Sequence, residues 1–310
     1  MEKIAAGIVT FNPDIKRLKD NVNAILTQVD KVYIYDNGSK NCEEVSIFTA
    51  NLSKVEIYTA SKNDGLACAL NGLMNMAFQD GFDWLVSLDQ DSVMQENTIK
   101  EFIKYADRQD VAIICPFAID SRRKYMKYEY TSEVEEINKC ITSGSMTRLS
   151  IWDELGGFDE FLFIDLIDDD YCKKITLNKY KILRINTVLM NQEWGKIIPR
   201  SDRVVRFFVK LGEMLHNTNI QKLSYKKTVD PRRIYYTCRN ILYLNKKYKN
   251  YGGIGYRNYN SRTFAGFLFY FCFGSVVRAD KKLYTAQMCI KGLREGHRKA
   301  LETRPLVIGG

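Results

Sequence analysis

Apolar positions along the first 115 residues switch between two periods. Short β-type runs alternate with stretches in which apolar residues recur every three or four positions. Ile4–Thr10 reads as a buried strand. Asp14–Val29 follows as a helix, with Ile15, Leu18, Val22, Ile25 and Val29 on one face behind a Pro and an Asp. Val32–Tyr35, Val55–Tyr58, Trp84–Leu88 and Val111–Cys115 read as further strands. Gly65–Gln79 and Glu96–Arg108 read as helices between them. The alternation predicts an α/β fold, a parallel sheet with helices on both faces. Such sheets bind ligands at the carboxyl ends of their strands.

The pattern changes after Pro116. Tyr125–Thr131 is strand-like, Thr142–Thr147 is a short strand, and Ser150–Leu155 is a helical turn. From about 201 onward the spacing is helical over Arg203–Leu215, Pro231–Tyr248 and Lys281–Leu301. The expected division is a sheet-based unit over 1–200 and a basic, mostly helical region over 201–310.

The 310 residues are 45% hydrophobic and 27% charged, which excludes a disordered or fibrous chain. No apolar run reaches about 18 residues, so no ordinary spanning helix is expected. The start, MEKIAAGIVTF, lacks the features of a signal peptide, which predicts a cytoplasmic protein. The eight cysteines form no CxxC pair, so reduced, buried thiols are expected rather than a zinc site or a disulfide framework. Only two histidines are present, His216 and His297, both in charged helical stretches.

The net charge of +9 hides a split. Residues 1–195 carry 22 Lys and Arg against 31 Asp and Glu, a balance of −9. Residues 196–310 carry 24 against six, a balance of +18. Such a tail implies an anionic partner. It also holds Phe264–Val277, FAGFLFYFCFGSVV, flanked by Arg257, Arg262, Arg278, Lys281 and Lys282. That run is too short to span a bilayer and long enough to lie in its interface. The pairing favours an anionic membrane surface over nucleic acid; a core helix of the C-terminal region is the other reading.

Candidate chemistry sits at the strand ends. Asp89 and Asp91 in LDQDS stand two residues apart after a buried strand and suit a hard divalent cation shared with phosphate oxygens. Asp91 or Ser92 reads equally as a helix cap. Asp36 in YIYDNGS is placed to accept from a base N–H, or to close an Asx-turn near Gly38. Asn63 and Gly65 open the helix NDGLACALNGLMNMA, whose first N–H groups attract anions; alone it reads as a capped helix. Asp165, Asp168, Asp169 and Asp170 crowd four carboxylates into six residues. Their repulsion calls for a cation, an arginine or a raised pKa, and the last would suit a general base. The same acids also suit the positive end of a helix dipole.

In order along the chain, IVTFNPD, VYIYDNGS, NDGLACALNGL, WLVSLDQDS, TSGSMTRLSIWDELGGFDEFLFIDLIDDDYCKK and RIYYTCRN resemble glycosyltransferase family 2, the inverting enzymes of GT-A fold. The LDQDS form, FID before the acidic cluster and YYTCRN are most similar to the rhamnosyltransferase branch, which uses dTDP-L-rhamnose in bacterial polysaccharide synthesis. The resemblance implies a Rossmann-like, mostly parallel mixed sheet with a C-terminal helical extension. It implies that Thr10, Phe11 and Asn12 lie along the nucleotide and that Asp36 holds the base. Asn63, Gly65 and Asn71 fall in the nucleoside segment. Asp89 and Asp91 fill the DxD that holds Mg²⁺ or Mn²⁺. Asp168 takes the place of the catalytic base, and Asp170 the acidic position two residues later. Ser143, Gly144, Asp165 and Trp194 fall on the acceptor side. Arg239 or Arg232 is placed to assist with the diphosphate.

Two positions depart from the family pattern. Ile167 stands where a Glu precedes the catalytic Asp, and Gln192-Glu193-Trp194-Gly195 stands where many members have His-x-x-Gly. The expected activity is metal-dependent transfer of a sugar, best matched by L-rhamnose, from a nucleotide-sugar to a saccharide hydroxyl. The expected acceptor is lipid-linked, which would place the protein at the inner face of the plasma membrane. The C-terminal helices are a candidate homo-oligomer surface, and no nucleic-acid partner is expected. A nucleotidyltransferase on a similar sheet and a non-enzymatic anionic-surface binder are the alternatives.

Overall fold

The computed structural model describes residues 2–308. Its first part runs β1 (Ile4–Thr10), α1 (Ile15–Leu26), β2 (Lys31–Asp36), α2 (Cys42–Thr49), β3 (Val55–Thr59), α3 (Leu66–Gln79), β4 (Trp84–Asp89) and α4 (Thr98–Ile103). It continues through β5 (Val111–Ile119), β6 (Val134–Ile137), β7 (Ser145–Arg148), α5 (Leu149–Glu154), α6 (Ile167–Leu177) and β8 (Lys181–Asn191). The sheet order is β3-β2-β1-β4-β7-β5-β8-β6. β1 pairs in parallel with β2 and β4, and β2 with β3. β7 runs antiparallel to β4 and β5, and β6 to β8. The mixed sheet implied by the family resemblance is therefore present.

Local chemistry explains the elements that carry the site. Asp14 caps α1 by accepting the Arg17 N–H at 3.1 Å, and Leu18, Val22 and Ile25 are wholly buried. α1 stops at Leu26, short of Val29, yet Val29 remains in the core. Trp84 starts β4 fully buried, and the Arg148 guanidinium lies 4.3 Å from its ring centroid. Arg148 donates to Val111 O, Ala106 O and Arg108 O at 3.1, 2.6 and 2.9 Å. A buried cation is thus satisfied by the carbonyls that close the turn after α4.

Three sequence expectations are corrected. Tyr125–Thr131 forms no strand; Val134–Ile137 pairs with β8 instead, with Val134 opposite Ile185. Tyr125 is used elsewhere, stacked on Tyr225 with ring centroids 6.2 Å apart. The strand expected over Thr142–Thr147 is displaced to Ser145–Arg148, because Thr142 to Gly144 make the turn into it. The helix expected over Glu96–Arg108 shrinks to α4, because Asn97 enters it left-handed at φ 63°.

The chain divides into two compact units. One holds residues up to Phe117, Tyr130–Met190 and the described residues from Val307 on; the other holds Ala118–Glu129 and Asn191–Leu306. The second contains β9 (Ile197–Pro199), α7 (Asp202–Met214), α8 (Thr218–Gln221), β10 (Tyr225–Lys227), α9 (Pro231–Lys247), α10 (Phe264–Phe267), α11 (Gly274–Arg278) and α12 (Lys282–Glu302). A π-helical turn over Leu268–Phe273 joins α10 to α11. α12 packs directly on the α9 backbone, since a Cβ at Gly292 or Gly296 would fall 2.4 Å from Tyr235 O or 2.5 Å from Arg239 O. Cys238, Cys272 and Cys289 from α9, the π-turn and α12 meet there, with all three sulfurs within 4.8 Å. Their wide sequence spacing hid that meeting. All eight cysteines are free thiols.

Candidate active site

β1 and β2 end side by side, and Thr10 is the register partner of Asp36. Both are fully buried. Thr10 Oγ1 donates to Asp36 Oδ2 at 2.9 Å, and the Ser39 N–H donates to Asp36 Oδ1 at 2.8 Å. The Asx-turn reading of Asp36 is therefore realised, and its carboxylate organises the DNGS turn from within. Asn12, left-handed at φ 49°, donates its N–H to Ser39 Oγ at 2.8 Å and accepts the Lys40 N–H at 2.9 Å. The β1 and β2 turns are thereby cross-tied. Phe11 is 44% exposed at the tip, with its N–H donated to Gln90 Oε1 at 2.8 Å.

That glutamine lies between Asp89 and Asp91, so the β1 turn and the DQD turn are joined. Asn21 Nδ2 donates to Asp89 O at 2.8 Å, and Ser143 Oγ accepts the Asp89 N–H at 3.0 Å. Ser143 also meets Ser92 Oγ at 2.8 Å, and the Gly144 N–H reaches Ser87 O at 2.7 Å. The 142–144 turn is thus fixed to the exit of β4. The Asp91 side chain is 38% exposed, with Arg17 at 3.9 Å. An ion pair so long and open is weak.

These carboxylates fit a hard divalent ion that completes its coordination with substrate oxygens. Mg²⁺ takes one or two carboxylates and rarely a full protein cage. Among the described residues, the side chains gathered closely enough for three to hold one ion are the cysteine trio, whose soft sulfurs suit a different metal.

The acidic cluster opens α6. Asp165 and Leu166 precede it with φ of 66° and 67°, two left-handed non-glycine residues in succession. Such strain persists only where surrounding contacts impose it, and it concentrates at functional sites. Asp168 is half-buried, and its Oδ1 accepts the Asp169 N–H at 3.2 Å. Burial, with the Asp169 and Asp165 charges beside it, pushes the Asp168 carboxyl up to about 7. Asp169 pairs with Lys139, and Asp170 is fully buried. One turn on, Cys172 lies 3.7 Å from Cys140, which follows Lys139 in the chain. One short segment, 139–144, therefore touches both the base candidate's helix and the DQD turn.

α3 is tied to the approach to α6. The Leu66 N–H donates to Phe163 O at 2.7 Å, and Asn63 Oδ1 accepts the Gly65 N–H at 3.0 Å. Gly65 sits at φ 98°, and a Cβ there would lie 2.8 Å from Phe163 O. Asn71 is used internally. Its Nδ2 donates to Phe158 O and Glu160 Oε1 at 2.9 and 3.0 Å, and its Oδ1 accepts from Phe158 N at 2.8 Å. Asn71 thus braces the GGFDE loop, and the adjoining hollow is lined by Tyr35, Cys68, Trp152 and Glu160.

Trp194 and Arg239 belong to the second unit. Arg239 lies over the Tyr236 ring at 4.9 Å and donates to Asn240 Oδ1 at 2.9 Å. Trp194 sits in a network the sequence reading missed. Buried Asp120 accepts from Arg122 Nε and Arg123 Nε at 2.8 and 2.7 Å and from the Trp194 N–H at 3.2 Å. Despite burial, the two guanidinium groups and that N–H hold its carboxyl far below the usual range. Arg122 also reaches Glu193 and Gly195 O, at 3.1 and 3.0 Å, so the QEWG turn is held from both sides. The clue was the DSRR run itself, an acid two and three residues before two arginines.

The sheet order and the loops at its strand ends define a GT-A-like α/β protein. The family model described as Glycosyl transferase family 2 matches residues 6–183, more than half of the chain. The chain belongs to glycosyl transferase family 2. It is 27% identical over 188 residues to the dTDP-rhamnosyl transferase RfbF of Shigella flexneri, a match covering 54% of this chain. The chain spans only 62% of the length of that curated relative. Among solved structures it superposes on S. aureus TarS 1–349 in complex with UDP-GlcNAc at TM-score 0.52 and 12% identity, covering 97% of this chain and 92% of that one. Against GalNAc-T7 with UDP, GalNAc and Mn²⁺ the TM-score is 0.51 at 12% identity, covering 88% of this chain and 57% of that one. At such identity these two likenesses speak for the fold alone. No described helix is long and apolar enough to cross a membrane.

Proposed function

We propose that the chain is an inverting glycosyltransferase that moves L-rhamnose from dTDP-L-rhamnose to a hydroxyl of a lipid-linked saccharide in bacterial surface polysaccharide synthesis. Family membership supports the reaction class. The named activity of the Shigella relative supports the sugar. The observation that carries the reading is the Asp168 carboxyl, raised to about 7 on a helix coupled through 139–144 to the DQD turn.

Asp91, with Asp89, would hold Mg²⁺ or Mn²⁺, which supplies positive charge against the leaving diphosphate. The remaining roles fall to the chain itself. The Thr10–Asp36–Ser39 cluster and Asn12 shape the nucleotide pocket, with the Phe11 ring beside it. Gly65 lets the first N–H of α3 reach the approach to α6, and the Asn63 side chain accepts the Gly65 N–H just ahead of the helix. Asp168 removes the acceptor hydroxyl proton during in-line attack on the anomeric carbon, and general-base help of this kind contributes roughly 10²–10⁴ in rate. Ser143, Gly144, Asp165 and Asp170 frame the acceptor side. A single displacement inverts the anomeric centre.

The test is a titration of dTDP-L-rhamnose, UDP-glucose and UDP-galactose into purified protein with and without Mn²⁺, repeated with Asp91→Ala. Metal-dependent binding of dTDP-L-rhamnose that Asp91→Ala abolishes is expected. Preference for another donor overturns the rhamnose assignment, and no binding of any donor overturns the glycosyltransferase reading.

A further inference from the structure

We infer that the outward face of the α10–α11 segment is an interfacial docking face for an anionic lipid bilayer. This deepens the proposed function, resting on its lipid-linked acceptor. Residues 264–278 form one continuous helical run through a π-turn. At about 1.5 Å per residue it is shorter than a bilayer core, so it can lie on a membrane and not cross it.

The run has two faces. Phe267, Cys272 and Ser275 point inward and are buried. Phe269, Tyr270, Phe273 and Val277 point outward, each more than half exposed, at 61%, 57%, 58% and 53%. Phe269 and Phe273 stack on each other with centroids 5.8 Å apart, in the open. Leu283, 84% exposed, continues the apolar surface in sequence past the next corner. Exposed aromatic side chains cost free energy in water, and apolar patches of this kind mark interaction sites.

Charge selects the occupant. Arg257, Arg262, Arg278, Lys281 and Lys282 flank the face and are all exposed, with Asp280 the acid among them. Residues 196–310 carry a balance of +18. A second copy would set this cationic surround against itself. A nucleic acid would leave the phenyl rings of this face without an apolar partner. An anionic bilayer satisfies both features, since aromatic rings settle at the headgroup boundary while basic side chains reach lipid phosphates.

The test uses the full chain with phosphatidylglycerol–phosphatidylcholine vesicles and with phosphatidylcholine alone, read by flotation without donor or acceptor. Partition onto the anionic vesicles, falling with salt, is expected. Phe269→Ser with Phe273→Ser should weaken it at least roughly tenfold. Lys281→Glu with Lys282→Glu should weaken it roughly fivefold or more. Leu301→Ser, exposed outside the face, should leave it unchanged. In Phe273→Trp, brominated acyl chains should quench the new indole. The inference is overturned if the wild type fails to float at low salt, if the double Ser variant floats equally, or if those variants instead abolish self-association in sedimentation velocity. Donor titration on the same samples reports the catalytic reading separately.

Discussion

Ser143 Oγ accepts the Asp89 N–H at 3.0 Å and touches Ser92 Oγ at 2.8 Å, so one buried hydroxyl holds both ends of the DQD turn. Ser143→Ala leaves a part-buried N–H and a buried hydroxyl without that partner, at a cost of about 1–3 kcal/mol. The proposed metal carboxylates sit between them. We expect Mn²⁺ activation to shift to roughly tenfold higher concentration, with a lower Tm. Activity against metal concentration, beside a melting curve, checks it. A lower Tm with unchanged metal response would leave Ser143 a purely structural role.

The raised Asp168 carboxyl predicts two pH effects. As a base it must be ionised, so kcat should fall about tenfold per unit below pH 7 and level off above it. Stability follows the opposite sign. Below the ordinary carboxylate range the group is protonated in folded and unfolded chains alike. Between there and pH 7 the unfolded chain releases its proton while the folded chain keeps it, so the group's contribution turns unfavourable as pH rises. Asp168→Asn removes that penalty. Its Tm should match the native Tm near pH 4 and exceed it above pH 7 by roughly 2–4 °C. Turnover should be lost with donor binding kept. Equal melting curves at both pH values would contradict the raised carboxyl.

Gly65 stands at φ 98° with Phe163 O where a Cβ would go. Gly65→Ala must move the backbone that leads into Asp165 and Leu166, themselves left-handed. We expect a loss in kcat of at least roughly tenfold, since small displacements of positioned groups are costly in rate. Asn63→Ala removes only the side-chain acceptor of the Gly65 N–H and should act mainly on donor KM. Steady-state kinetics on both variants separates the two. Equal effects would mean that α3 and the α6 approach do not act through Gly65.

How far the sequence led depended on the range of the interaction. β1, β2 and β4 were legible because strands buried on both faces leave unbroken apolar runs. Asp89, Asp91 and Asp168 were singled out as candidates because each follows such a run or crowds its neighbours with like charge. Arg148 was not, since its partners are carbonyls of residues 106–111 and carbonyls leave no trace in side-chain pattern. Tyr125–Thr131 misled for a related reason. Its alternation of aromatic and polar residues suits a strand, but Tyr125 is taken by Tyr225, a hundred residues on. The aromatic run 264–277 supported two readings; Phe267 and Cys272 are buried as a core helix requires, while Phe269, Tyr270 and Phe273 stay exposed as the proposed docking face requires.

Asp36 carries the last prediction, because its environment separates a positioning role from a chemical one. The carboxylate is fully buried, with Oδ2 taken by the Thr10 hydroxyl and Oδ1 by the Ser39 N–H. Asn at this position keeps one acceptor and turns an NH₂ toward the other partner. If its oxygen stays on the Ser39 N–H, the Thr10 hydroxyl must rotate and accept. The turn then survives, but the negative charge behind the proposed nucleotide pocket is gone. A nucleobase N–H held by that carboxylate would lose a charge-assisted bond, of about 1.5–3 kcal/mol. Asp36→Asn should therefore raise donor KM at least roughly tenfold with kcat changed little, the signature of lost uniform binding. Thr10→Val removes the hydroxyl and keeps the charge, so its KM effect should be smaller. Were kcat to collapse in Asp36→Asn with KM unchanged, Asp36 would belong to the chemical step and the nucleotide assignment would fall.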